Sequence, residues 1–284
     1  MAKILETSEL SQKLKQRIKS DLSGGSRLTL ASLVVSGSDY SSQVYITQQQ
    51  KLAQELGSNL DYRLIYLEAS ESLERVLEKI NQLNKDNTVT GIVFNKPFPK
   101  AWKEEEIFRA IAPDKDIEGM NPYNLGRLAL GNPLFIPPTV LSVLELIKFT
   151  GLALRGKKVT IIGASSIIGK PLALLLADKL ATVTIAQIGT YEAGDLESYC
   201  RQADVLISAA GVPGLVKGDW IKKGAVVIDV GTAEKSSKIS GDVEFEKAKE
   251  SAAAITPVPG GVGRLTTLFL FDNLLRAERL NKKP

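Results

Sequence analysis

Strand-like and helix-like patterns alternate along almost the whole chain, and this alternation limits the fold more than any other feature of the sequence. Residues 28–36 (LTLASLVVS) read as a strand closed by the turn Gly37-Ser38-Asp39. Residues 42–57 carry Val44, Leu52 and Leu56 at helical spacing and end on a Gly cap. A short strand over 62–67 follows, then a helix over 72–84 with Leu73, Val76, Ile80 and Leu83 on one stripe. Residues 90–94 read as a strand, and 114–126 as a polar loop. A second unit opens after a helix over 139–149. Its strands cover 157–162, 182–186, 205–209 and 225–230, with helices over 172–180 and 265–280. Strands separated by helices pair in parallel through right-handed crossovers. The fold class expected is therefore α/β in two lobes, each with a mainly parallel sheet, the C-terminal lobe being a Rossmann-like doubly wound domain. The expected division is 1–138 plus 266–284 for one lobe and 139–265 for the other.

Two lobes also suit the length, since 284 residues exceed what one compact core holds. Lys and Arg total 36 against 32 Asp and Glu, a net charge of +4 spread along the chain, which is no nucleic-acid signature. There is no histidine, so no imidazole can serve as base, nucleophile or metal ligand, and no metal site is expected. The single cysteine, Cys200, reads as a packed, inert thiol. No apolar run approaches a membrane span, and the first residues (MAKILETSEL) lack the core of a signal peptide. A cytoplasmic protein with no membrane partner is expected.

One segment has the form of a phosphate cradle. The strand over 157–162 runs into Gly163-Ala-Ser165-Ser166-Ile-Ile168-Gly169-Lys-Pro171 and then a helix. Glycines let the backbone approach a pyrophosphate, and the helix N-terminus supplies N–H donors. The next strand should end in the residue that reads the ribose. An acid there favours NAD, and a nearby Arg accommodates the extra phosphate of NADP. This one ends Gln187-Ile-Gly-Thr190 and chooses neither. Asp229, at a strand end, reads as a turn cap.

Six ordered blocks carry a resemblance: SQVY from Ser42, DKDIEGMNPYNLGRL from Asp114, GKKVTIIGASSIIGKP from Gly156, GVPGLVKGDWIKKGAVVIDVG from Gly211, GDVEFE from Gly241 and ITPVPGGVG from Ile255. From about Ser32 to Ala277 the chain resembles the methylene-tetrahydrofolate dehydrogenase/methenyl-tetrahydrofolate cyclohydrolase family. The resemblance implies a homodimer, a small-molecule folate substrate, and NADP or NAD as cofactor. It implies cofactor contacts from Gly163, Ser165, Ser166, Ile168, Gly169, Pro171, Thr190, Gly211 and Thr232, and substrate contacts from Tyr45, Asn95, Glu118, Pro259, Gly260 and Gly261.

The family's chemistry rests on a Tyr, a Lys four residues later, a Gln in a VQLPLP loop and an Asp in a DVDG loop. Here the Tyr is Tyr45, but the other positions hold Gln49, Asn95 and Glu118. The family's PCTP turn reads Pro137-Pro-Thr-Val140, and Arg264 stands where a Pro follows PGGVG. Hydride transfer needs oriented reactants but no proton donor, whereas hydrolysis of the methenyl product needs proton transfers that a neutral amide cannot make. Hydride transfer is thus expected to survive and hydrolysis to be impaired, with Lys96 as a conceivable replacement cation. The alternatives are a silent paralogue that binds folate or nucleotide, and an enzyme for another pterin-like substrate.

Overall fold

The structure is a computed structural model that describes residues 2–25, 27–37, 40–235 and 238–281. Ser38 and Asp39 of the expected turn lie outside these residues. Eleven strands are described: β1 (Lys3–Ile4), β2 (Leu28–Val35), β3 (Leu60–Leu67), β4 (Gly91–Phe94), β5 (Lys158–Ile162), β6 (Thr182–Ala186), β7 (Val205–Ser208), β8 (Val226–Asp229), β9 (Ala233–Lys235), β10 (Lys238–Ser240) and β11 (Ala254–Ile255). The chain forms two compact units, residues 12–137 with 267–284, and residues 1–11 with 138–266. No helix of the described residues is long and apolar enough to cross a membrane.

The first of these units holds a parallel sheet in the order β3-β2-β4. All eight residues of β2 are buried, as a central strand covered on both faces requires. The helices Tyr40–Leu56 and Leu73–Lys85 connect its strands. Residues 267–281 of the helix Val262–Asn281 complete the core, where Leu268, Phe271, Leu274 and Leu275 pack with Leu28, Leu30 and Val93. The outer edge of β4 is covered by the segment after Ala112, since the Ile92 N–H donates to the Lys115 carbonyl at 2.8 Å. Contact is close here: a Cβ on Gly91 would lie 2.7 Å from both Ile117 and Leu274.

The second unit holds a six-stranded parallel sheet in the order β1-β11-β8-β7-β5-β6. From β5 the chain steps outward to β6, then returns to the far side of β5 for β7 and continues to β8. Strand direction of travel therefore reverses between β5 and β7, and ligands of open α/β sheets bind at that point, beyond the carboxyl ends of the strands. Strands β9 and β10 form a separate antiparallel pair.

Three departures from the sequence reading have local causes. Residues 122–126 of the expected loop open the helix Pro122–Ala129: Asn121 accepts from the Tyr123 N–H at 2.7 Å and Pro122 occupies the first turn. The helix expected from 172 begins at Gly169, so the second glycine of the phosphate-type turn is itself helical. The first eleven residues belong with 138–266 rather than with the N-terminal lobe, because β1 pairs with β11 and the Thr7 hydroxyl donates to the Gly260 carbonyl at 2.7 Å. A two-residue strand has no periodicity by which sequence could show it.

Candidate active site

Tyr45 and Gln49 lie one turn apart on the helix Tyr40–Leu56, so they share a face. Gln49 is fully buried and Asn95, just beyond β4, is nearly so. The Gln49 Nε2 donates to Asn95 Oδ1 at 3.0 Å. Asn95 Nδ2 in turn donates to Ser32 Oγ at 2.8 Å and to the Leu33 carbonyl at 3.0 Å. Tyr62 Oη stands 2.9 Å from Gln49 Oε1 and 2.8 Å from Ser32 Oγ. An amide oxygen has no proton to give, so Tyr62 gives its only proton to Gln49 and receives that of Ser32. The four side chains thus close a ring in which every hydrogen bond runs in the same sense, from Ser32 to Tyr62, Gln49, Asn95 and back to Ser32.

The Gln49 amide also lies beside the Tyr45 hydroxyl. Burial, followed by the nearby charge of Glu118, pushes its pKa well above the ordinary phenol range, so it stays a neutral donor. The ring has no ionisable member other than Tyr62, whose pKa burial pushes up to about 12. No group in it can exchange a proton near neutral pH.

Glu118 sits on a loop fixed at both neighbours. Buried Lys115 donates to the carbonyls of Leu83, Asn84 and Asp86 at the end of the helix Leu73–Lys85. Buried Asp116 accepts from the Asn121 N–H and from Asn124 Nδ2, at 2.7 and 2.8 Å. The half-buried Glu118 carboxyl lies beside the Phe94 N–H. Burial, and then the charge of Asp116, raises its pKa to about 8, against the opposing pull of that N–H and of Lys96. Lys96 itself pairs with Glu104 and lies 5.7 Å from the centre of the Phe108 ring. It is not a member of the ring around Gln49.

A pH dependence follows from Glu118. The unfolded carboxyl titrates near 4.5 and the folded one near 8, so the folded state binds the extra proton between these values. The stability it contributes is complete below pH 4.5 and is lost as pH rises through about 8. Glu118→Gln removes this loss. The variant's stability advantage over the parent should grow from pH 5 to pH 8, to on the order of 4 kcal/mol, in paired denaturant titrations. A difference independent of pH would show that Glu118 does not hold a proton in the folded state.

In the other unit, β5 delivers Gly163 to the switch point between β5 and β7. Gly163 has φ +113°, and a Cβ there would lie 2.5 Å from the Ala209 carbonyl oxygen beyond β7. A Cβ on Gly169 would lie 1.9 Å from the Gly163 carbonyl oxygen. Both glycines are thus required by close backbone approach. Ser165 and Ser166 are exposed, and Ser165 Oγ accepts from the Ile168 N–H at 3.1 Å. Ile168 at the N-cap offers no side-chain acceptor to the helix Gly169–Asp178, while Pro171 is buried in its first turn. An exposed turn with hydroxyls and a helix N-terminus lacking a side-chain cap fits a dinucleotide pyrophosphate.

The other expected cofactor contacts lie around the same sheet. Thr190 belongs to the short helix Ile188–Glu192, where its hydroxyl accepts from the Gln187 N–H at 3.2 Å. Gly211 is exposed beyond β7, and Thr232 is exposed beyond β8. Of the expected substrate contacts, Pro259 is exposed and Gly261 buried, in a turn held by Thr7 through the carbonyls of Gly260 and Gly261. Asp229 does cap a turn, accepting the N–H groups of Gly231, Asp242 and Val243 at 3.0–3.1 Å. Burial raises its pKa to about 6. Sequence reasoning passed over Ser32, Tyr62 and Asp242, whose partners lie 13 to 63 residues away.

A parallel sheet with a glycine turn at its switch point, in one chain with a second parallel α/β unit carrying a buried polar cluster, defines a nucleotide-binding α/β enzyme architecture. Residues 137–282 match the NAD(P)-binding domain, and residues 5–118 the catalytic domain, of tetrahydrofolate dehydrogenase/cyclohydrolase. The chain belongs to that family. It is 40% identical to the bifunctional protein FolD of Staphylococcus epidermidis, over 99% of this chain and 98% of that one. The crystal structure of the bifunctional FolD enzyme of Campylobacter jejuni superposes with a TM-score of 0.92 at 37% identity, covering 99% of this chain and all of that one. The Trypanosoma brucei enzyme, solved with NADP and an inhibitor, gives 0.93 at 32% identity over 99% of each chain.

Proposed function

We propose that this protein oxidises methylene-tetrahydrofolate to methenyl-tetrahydrofolate with NAD or NADP and does not efficiently hydrolyse the product. The observation that carries this reading is the uncharged ring at Gln49. Bound beside the glycine turn, the dinucleotide supplies the hydride acceptor. Gly163, Gly169 and the first turn of the helix Gly169–Asp178 hold its pyrophosphate, with Ser165 and Ser166 as further donors. Tyr45, which stays a neutral phenol, donates its hydroxyl proton to the folate. Glu118, whose carboxyl keeps its proton to about pH 8, both donates to and accepts from the pterin edge. Gln49 and Asn95, locked to each other, border the reacting carbon, where they orient rather than exchange protons. General acid–base help is worth about 10²–10⁴-fold, and hydrolysis loses it here. The family resemblance supports a homodimer acting in the cytoplasm on a free folate.

The full-size match to bifunctional enzymes and the intact glycine turn favour an enzyme over a silent paralogue. Purified protein given methylene-tetrahydrofolate should reduce NAD or NADP, followed by the absorbance of the reduced nicotinamide. No reduction with either would contradict the reading.

A further inference from the structure

Beneath the exposed loop that follows β7 lies a fully buried carboxylate, Asp242. Three successive backbone N–H groups of the loop converge on it. Ala210 and Gly211 donate to Oδ2 at 2.8 and 3.3 Å, and Val212 donates to Oδ1 at 2.8 Å. Ser208 Oγ adds a fourth bond to Oδ2 at 2.9 Å. The carboxylate has no room to move, since a Cβ on Gly231 would lie 2.1 Å from its Oδ1. Its own backbone is held in turn, because the Asp242 N–H donates to Asp229 Oδ1 at 3.1 Å and the Asp229 N–H donates to Thr256 Oγ1 at 2.7 Å.

The loop so clamped is one wall of the switch point. Its Ala209 carbonyl is the group that Gly163 approaches most closely, and Gly211 and Val212 present an exposed surface. With three N–H groups turned inward, the loop keeps an outward surface of carbonyls and Cα atoms, in a left-handed conformation at Gly211 with φ +69°. We propose that Asp242 is a positioning residue for dinucleotide binding, holding the loop 210–212 in the shape that completes the cofactor wall opposite the Gly163 turn. The proposal rests on the dinucleotide reading of that turn.

Asp242→Asn tests it. The amide oxygen can serve the crowded Oδ2 side, but the NH₂ then faces the Val212 N–H and leaves that donor without an acceptor. Dinucleotide affinity, measured by calorimetry without folate, should fall about tenfold or more. The KM for the dinucleotide should rise in step, while the KM for methylene-tetrahydrofolate stays unchanged. Ser208→Ala removes the one bond of the Asp242 carboxylate that does not come from the loop's backbone, and should leave dinucleotide affinity at the parent value. Gly211→Ala, where a Cβ meets open space but the left-handed φ is disfavoured, should reproduce the selective loss without touching the core. Parent-like dinucleotide affinity in both Asp242→Asn and Gly211→Ala would overturn the assignment, as would an equal loss in Ser208→Ala. A parent protein that binds neither NAD nor NADP would instead overturn the dinucleotide reading beneath it.

Discussion

Gly169→Ala is expected to abolish dinucleotide binding and to destabilise the unit that carries β5. Alanine is normally favoured over glycine inside a helix by up to ~1 kcal/mol, so propensity alone predicts a gain. The geometry reverses that sign. The new methyl would lie 1.9 Å from the Gly163 carbonyl oxygen and 2.9 Å from its carbonyl carbon, and both are backbone atoms that cannot rotate away. Either the helix Gly169–Asp178 moves off the sheet or the turn from Gly163 opens. Overpacking of this kind costs roughly 3 kcal/mol. Any relief that separates the helix from the turn also destroys the cradle, so dinucleotide affinity should fall at least a hundredfold, about 2.7 kcal/mol. Unfolding by denaturant and titration with NAD or NADP measure the two effects separately. Stability and affinity equal to the parent's would mean that the turn and the helix do not pack as closely as they stand here.

Asn95→Leu should produce the second large effect, through the polar ring. Leucine keeps the branched outline of asparagine but is bulkier, so overpacking at this buried position adds to the lost hydrogen bonds. Gln49 Nε2 loses its acceptor, Ser32 Oγ and the Leu33 carbonyl lose a donor, and none of these groups can reach water because Gln49 and Ser32 are fully buried. Stranded buried partners cost about 1–3 kcal/mol each. Neighbouring losses are not additive, and a total near 3 kcal/mol is expected, visible as a fall of ~10 °C in the melting temperature. Hydride transfer should weaken as well, because Gln49, one turn from Tyr45, no longer holds a single orientation. A variant as stable as the parent would show that the ring is not closed in the folded protein.

The glycine turn was legible in the sequence because its signal is local: an apolar strand, a glycine, a second glycine six residues on, and a helix. The four candidate residues of the other unit were legible by their place in motifs, which is also how three of them stood out as changed. Their meaning was not. Gln49 alone is an ordinary helix residue, and only the fold shows it fully buried against Asn95, with Ser32 and Tyr62 closing the ring from two strands. Ser32 lies within a strand buried at every position and looks like filler there. Asp242 fails to announce itself for the same reason, since its four donors lie 30 to 34 residues upstream. Periodicity located the longer strands of both sheets and five of the helices, but it missed the short edge strands and several helices, among them Pro122–Ala129, whose start rests on one Asn cap and a Pro in a polar stretch.

The central claim is that the three changed positions leave hydride transfer intact and remove proton transfer. The direct measurement supplies methenyl-tetrahydrofolate itself, without any nicotinamide, and follows the decay of its absorbance with and without the protein. The account predicts decay at the spontaneous rate in the presence of a protein that reduces NAD or NADP with methylene-tetrahydrofolate. Protein-dependent hydrolysis that keeps pace with hydride transfer would contradict it, and would place a proton-carrying group at the reacting carbon beyond the uncharged ring of Gln49, Asn95, Ser32 and Tyr62.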